Sequence, residues 1–148
     1  MKPYFFLVLA IFAAASIGYS QTPMWHNQGA LVAIHDSATV YVRGDFLNER
    51  DGEVDNRSAL YVVGDWTNNA SNEAFRSRGE GIVHLQGNTP TIGGRSTTRF
   101  YDLRLEQDST ARATIDVYVD GFLRLNTQAF FVDTHTVYVY NADLGAVT

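Results

Sequence analysis

The chain contains no cysteine, so neither a disulfide nor a thiolate metal site can staple it. Proline is confined to three positions, and no lysine follows Lys2; every later cation is an arginine. The formal net charge is −5. That mildly acidic, dispersed balance argues against nucleic acid, which needs a basic patch, and against a polybasic membrane-surface segment. Only the first residues form a long apolar run, so no membrane span is expected in the rest of the chain. No apolar stripe of helical period follows residue 21. Phosphate loop, nucleophile elbow and dinucleotide fingerprint are all missing. A core and backbone ladders must therefore hold the molecule.

The opening MKPYFFLVLAIFAAASIGYSQ has the build of a signal peptide. Lys2 supplies the positive start, Tyr4 to Ala15 the short apolar segment, and Gly18 and Ser20 the small residues before a cut at Gln21. No cysteine follows, so no lipid attachment is expected. Residues 1–20 are read as the signal, which places the mature chain outside the cell or on its outer surface.

What is abundant is repetition. Apolar-Tyr-apolar recurs at Val40-Tyr41-Val42, Leu60-Tyr61-Val62, Val117-Tyr118-Val119 and Val137-Tyr138-Val139. Looser copies stand at Ile82-Val83-His84-Leu85 and Phe100-Tyr101-Asp102-Leu103. Starts at 40, 60, 82, 100, 117 and 137 are spaced 20, 22, 18, 17 and 20 residues apart. Each copy alternates with period two, as a strand does, and a period near twenty is that of a solenoid. The expected fold is all-β: a parallel β-helix (β-solenoid) with rungs of about 20 residues. An antiparallel β-sandwich, with strands every 8–12 residues, is the alternative.

Stacked rungs predict columns of equivalent residues. Val40, Leu60, Ile82, Phe100, Val117 and Val137 form the expected inner column. Tyr41, Tyr61, Tyr101, Tyr118 and Tyr138 form the outer one, interrupted at Val83. Asn48 and Asn68 should start an amide ladder, and Phe46 should lie over Trp66. Glycines at 44, 64, 87 and 121 follow their strands, where the chain bends and a Cβ would obstruct it. Residues 21–39 are expected to cap the solenoid and residues 40–148 to form its rungs. Within these, 49–58 and 67–80 read as polar turns or loops, and a short strand is expected near Ile92. The last phrase, NADLGAVT, carries no polar cap, so a longer chain is expected.

Candidate chemistry is sparse. Arg43-Gly44-Asp45 matches an integrin-recognised tripeptide, but Val63 replaces the Arg in the next copy, and a turn explains the Gly-Asp. Asp45 over Asp65 could suggest calcium or acid–base work, yet the dense oxygen set of a calcium loop is missing. His26, His35, His84 and His135 show no ligand spacing. Asp102 and Asp116 with Arg104 and Arg112 could serve a polysaccharide-active site, but nothing in the spacing makes them converge. No catalytic, cofactor or metal residue is expected. The outward aromatics Tyr41, Tyr61, Trp66, Tyr118 and Tyr138 are the possible ligand surface, since stacked rings can hold sugars.

The phrases VYVRGDFLNE, ALYVVGDWTNNA, GIVHLQGNTPTIGG, TTRFYDLRLEQ and VYVYNADLGAVT resemble the amino-terminal repeat region of large surface proteins of Bacteroidetes. The resemblance covers nearly all of residues 27–148. It implies export by the signal peptide and then by type IX secretion, with the carboxy-terminal sorting domain of such proteins expected beyond residue 148; Asp102 stands where Asn is usual. It brings no catalytic residues. The expectation is an exported, non-enzymatic solenoid segment of a cell-surface protein, a scaffold or adhesin whose partners are an extracellular glycan or surface protein and the secretion machinery. The alternative is the leading part of an extracellular polysaccharide-active enzyme or a carbohydrate-binding module.

Overall fold

Period-two alternation suits a sandwich as well as a solenoid; the direction of strand pairing separates them. In the computed structural model, which describes residues 24–76, 80–106, 109–126 and 128–148, every strand pair is parallel. The sandwich is excluded. The protein is a β-solenoid of about six coils. The segment expected to be a signal peptide, 1–20, lies outside the described residues.

Each coil carries three strand positions. Coil 1 holds β1 (Met24–Gln28), β2 (Leu31–Ile34) and β3 (Thr39–Val42); coil 2 holds β4 (Asp45–Arg50), β5 (Glu53–Asn56) and β6 (Ala59–Val62). Coil 3 has β7 (Trp66–Ala70), the single bridging residue Phe75, and β8 (Ile82–Leu85). Coil 4 has β9 (Thr91–Gly94), β10 (Thr98–Phe100) and β11 (Asp102–Leu105); coil 5 has β12 (Ala111–Ala113), β13 (Val117–Val119) and β14 (Leu123–Arg124). Coil 6 has β15 (Phe130–Phe131), β16 (Val137–Val139) and bridging Val147. The described part of the expected cap, 21–39, thus holds β1, β2 and the first residue of β3, and forms most of coil 1.

Three faces result. The first stacks β1-β4-β7-β9-β12-β15. The second stacks β2-β5 and then β10-β13-β16, linked through Phe75, which bridges to Val54, and through Arg99 N–H, which donates to Glu73 O at 3.3 Å. The third stacks β3-β6-β8-β11-β14.

This geometry corrects the expected columns. On the third face the inner column is Val40, Leu60, Val83, Leu103 and Leu123. Ile82 pairs with Ala59 and Asp102 and points outward. The longer connection in coil 3 moves the register to Val83, 23 residues after Leu60. The copies at 117 and 137 lie on the second face, where Val117 and Val137 stack under Thr98, and Phe100 stacks with Val119 and Val139. One sequence column was expected where two faces share one alternation. Residues 49–58 and 67–80 are also less loop-like than their polarity suggests. Strand runs through Arg50, resumes at Glu53, and continues from Trp66 to Ala70. The short strand expected near Ile92 is β9.

The core is a file of apolar side chains with an aromatic spine. Phe46 stacks on Trp66 at 4.0 Å and 12°, while Trp25 meets Phe46 edge-on at 5.6 Å. Trp66 then meets Phe75 and Phe100 at 5.5 and 5.2 Å. Each such pair is worth about 0.5–1.5 kcal/mol beyond its burial. The Trp66 indole N–H donates to Thr98 Oγ1 at 2.9 Å, so its one polar atom is satisfied.

Corners are held by amides and carboxylates, because the backbone there leaves the ladder and its polar groups still need partners. Asn27, Asn48 and Asn68 stack in register and are buried. Asn48 Nδ2 donates to Asn68 Oδ1 at 3.1 Å and to Gly52 O at 2.8 Å; Asn68 Nδ2 donates to Asn72 O and Thr97 O. The expected amide ladder exists and starts one coil earlier. Asp45 Oδ1 accepts from Asp65 N–H at 2.9 Å, and Asp65 Oδ1 from Thr91 N–H at 2.8 Å. Asp102 and Asp116 accept in the same way from Phe122 and Thr136. Each carboxylate thereby latches one coil to the next.

The latch explains the glycine. A Cβ on Gly64 would stand 2.0 Å from Asp45 Oδ1 and 2.8 Å from Asp45 N; one on Gly121 would stand 2.2 Å from Asp102 Oδ1. Neither has a left-handed backbone, so close approach is the constraint. We expect Gly64→Ala to cost about 1–3 kcal/mol by overpacking. Urea unfolding should show a lower midpoint at unchanged slope; an unchanged midpoint would show that this corner has room.

Candidate functional site

With inner positions committed to the core, chemistry is left to the outward columns and corners. The tyrosines expected as one column form two groups. On the third face Tyr41 stacks over Tyr61 at 5.8 Å, and Tyr61 over His84 at 4.1 Å and 14°. Register continues the column as Arg104 and Arg124. Aromatic rings thus give way to cations along one line. On the second face Tyr118 stacks on Tyr138 at 4.9 Å and 9°, with Arg99 preceding them in register. Tyr101 belongs to neither column. It falls between β10 and β11, at the corner where the chain passes from one face to the other.

Trp66, expected on the ligand surface, is fully buried and cannot reach a ligand. The same alternation that puts Tyr41 outside puts Phe46 and Trp66 inside, because it runs unbroken through the glycine corner: Val42, Gly44, Phe46 and Asn48 are all buried, as are Leu60, Val62, Trp66 and Asn68. Tyr41 and Tyr138 are exposed, while Tyr61 and Tyr118 are half-buried by their stacked neighbours.

Two polar constellations accompany these rings. His84 Nδ1 lies 2.5 Å from Glu106 Oε1, and Arg104 Nε lies 3.3 Å from the same oxygen. His84 is buried although its column faces outward, because Tyr61 covers it. On the second face Arg99 donates to both carboxylate oxygens of Asp120, from Nε to Oδ2 at 2.9 Å and from Nη2 to Oδ1 at 2.7 Å. Its guanidinium lies 4.8 Å from the Tyr140 ring centre. Those hydrogen bonds push the Arg99 guanidinium above its ordinary range. Tyr140 also lies over Tyr118, at 6.3 Å and 10°. The result is a patch of three near-parallel tyrosines braced by a bidentate ion pair. Sequence spacing missed Arg99, Asp120 and Tyr140, because the pairs join residues about one coil apart. A search for opposite charges at that separation would have found Arg99 and Asp120.

The remaining candidates do not converge. Arg43 is exposed, but Gly44 is buried and the Asp45 carboxylate is engaged by Asp65 N–H, so the tripeptide is a corner of the solenoid. Asp102 and Asp116 are latches. Arg104 reaches Glu106 on the third face, whereas Arg112 pairs with Asp133 on the first. His26 pairs with Glu49 at 2.7 Å, and His135 approaches Asp116 at 3.7 Å. Among the described residues no group of three or more His, Asp or Glu could hold a metal ion.

The Tyr118 phenol is held above its ordinary range, first by partial desolvation among the rings and then by the Asp116 carboxylate. The folded state therefore keeps this proton longer than the unfolded state. Its contribution to stability is complete below the unfolded pKa of about 10 and declines as pH rises from there through the folded value. An alkaline absorbance titration should show a late phenol that Tyr118→Phe removes, and the variant should lose stability less steeply above that pH. Equal slopes would show that Tyr118 ionises as a free tyrosine does. Compared with protein-family models, curated proteins and solved structures, the chain gives no match, so its function must be argued from this geometry.

Proposed function

We propose that this chain is an exported, non-enzymatic segment of a bacterial cell-surface protein, acting as a scaffold or adhesin. The observation that carries the reading is the in-register stacking of six coils on three faces. With rungs about 4.8 Å apart, six coils span about 24 Å along the axis. Hydrogen bonds of every face run along that axis, and the aromatic spine and amide ladder fill the interior. Such a body resists bending and spaces whatever is attached to its ends. The signal-like opening supports export, and the resemblance to Bacteroidetes surface proteins supports the location and the type IX route.

Two measurements test the reading. Expressed with its own amino terminus in a Bacteroidetes host, the chain should be recovered outside the cytoplasm, cut before Gln21, and open to protease added to intact cells. An uncut chain in the cytoplasm would overturn export. For the scaffold role, duplicating residues 44–63 should add one coil, lengthening the particle by about 5 Å in small-angle scattering while the fold is kept. A particle of unchanged length, or loss of the fold, would overturn the modular rod.

A further inference from the structure

Where the first face turns toward the second, a cleft of about 440 Å³ opens between Gln28, Glu49, Arg50, Asn69 and Arg95. Its volume is that of a ligand site, and no apolar side chain lines it. Gln28, Glu49 and Asn69 stack in register through coils 1, 2 and 3, and Arg95 follows β9 of coil 4. The cleft therefore runs along the solenoid axis over three rung intervals, about 14 Å.

Its charge is unlike that of the whole chain. The net charge is −5, and elsewhere carboxylates serve as latches (Asp45, Asp65, Asp102, Asp116) or in ion pairs (Asp55, Glu106, Asp120, Asp133). Here two arginines meet, and among the described residues neither guanidinium has an ion-pair or hydrogen-bond partner. The carboxylate beside them, Glu49, is engaged by His26 at 2.7 Å. Asn69 Oδ1 accepts from Arg95 N–H at 3.1 Å, which leaves its Nδ2 donor for the cleft. The site is rich in donors.

A second observation is independent of charge. Arg50 has φ +58°, in the left-handed region that disfavours a side chain. The position before it pairs with Gln28, so Arg50 corresponds to Gly29 of coil 1, which has φ +89°. Coil 1 meets this backbone demand with glycine, the residue without a strain penalty. Coil 2 meets it with an arginine aimed at the cleft. Strain of this kind gathers at functional positions.

We infer that this cleft binds an acidic polysaccharide, its carboxylate-bearing sugars lying along the axis. Guanidinium forks match planar carboxylates, and the amides of Gln28 and Asn69 suit sugar hydroxyls. An acidic peptide fits less well: the strand backbone here is already used by the ladder, and there is no apolar pocket for peptide side chains. The inference does not rest on the scaffold reading, since a rod without this cleft would still space its neighbours.

The test is calorimetric titration of the intact chain at low salt with a uronate oligosaccharide, a neutral oligosaccharide of equal length, and poly-glutamate. The uronate should bind, the neutral sugar should not, and added salt should weaken binding. Arg50→Gly and Arg95→Gln should each weaken it about tenfold or more. Arg50→Gly should unfold at the same temperature as the parent or higher, because it relieves the left-handed strain. That separates loss of a ligand contact from loss of fold, and Arg95→Gln repeats the comparison at an unstrained position. No uronate binding, equal binding of the neutral sugar, tighter binding of poly-glutamate, or unchanged affinity in both variants would overturn the proposal.

Discussion

The structure depends on one constraint: the backbone groups of each coil are satisfied by the coils before and after it. A parallel strand has no partner within its own turn, so a single coil would leave all three of its segments unpaired. Pairing makes position i answer to position i plus one coil, and every side-chain column follows. Val40 over Leu60, Phe46 over Trp66, Tyr41 over Tyr61 and Asn48 over Asn68 are one fact seen at four positions. Because register flips face with each single-residue slip, the columns must be bought by corners that keep the count.

The corners keep the count with small and polar residues. Asp45 and Asp102 reach the next coil's backbone about 20 residues on, and Gly64 and Gly121 leave the space for them. Two residues that look like a ligand motif in the first copy thus form half of a joint. This is why Gly-Asp returns at 64–65 while the preceding arginine does not: the joint needs the pair, and the outward position before it is free to vary.

Much of this was legible in residues. The period, the parallel stacking, the Phe46–Trp66 pair and the Asn48–Asn68 ladder all follow from phrases repeated at 20 residues, since like residues at a fixed interval reward stacking in register. What could not be read was how many strands one period contains. Val-Tyr-Val at 40 and at 117 look equivalent, yet they lie on the third and second faces. Both faces bury one side of an alternating strand, and alternation carries no label for the face. Trp66 differs: an aromatic after Gly-Asp looks like a surface residue, yet the alternation that buries Leu60 and Val62 runs on unchanged through the corner and buries Trp66 and Asn68. The polar stretch at 67–70 reads as loop because it is mostly hydrophilic, yet it is strand: Thr67 and Asn69 face outward, and Asn68 turns in, where Asn48, Ala70, Asn72 and Thr97 satisfy its amide.

The candidate sites were less legible still, for a geometric reason. A solenoid brings together residues one, two or three coils apart and separates those a few residues apart. Arg99 meets Asp120 and Tyr140, His84 meets Glu106, and Arg50 shares a cleft with Arg95. Each grouping joins residues about 20 or more positions apart, beyond the reach of a local motif. Inner columns are constrained to pack and corners to latch, so variation is tolerated mainly on outward positions. There the aromatic column of the third face can change to His84 and then to Arg104 without disturbing the ladder beneath. Chemistry on such a scaffold is written across coils, as the cleft that Arg50 of coil 2 shares with Arg95 of coil 4 illustrates.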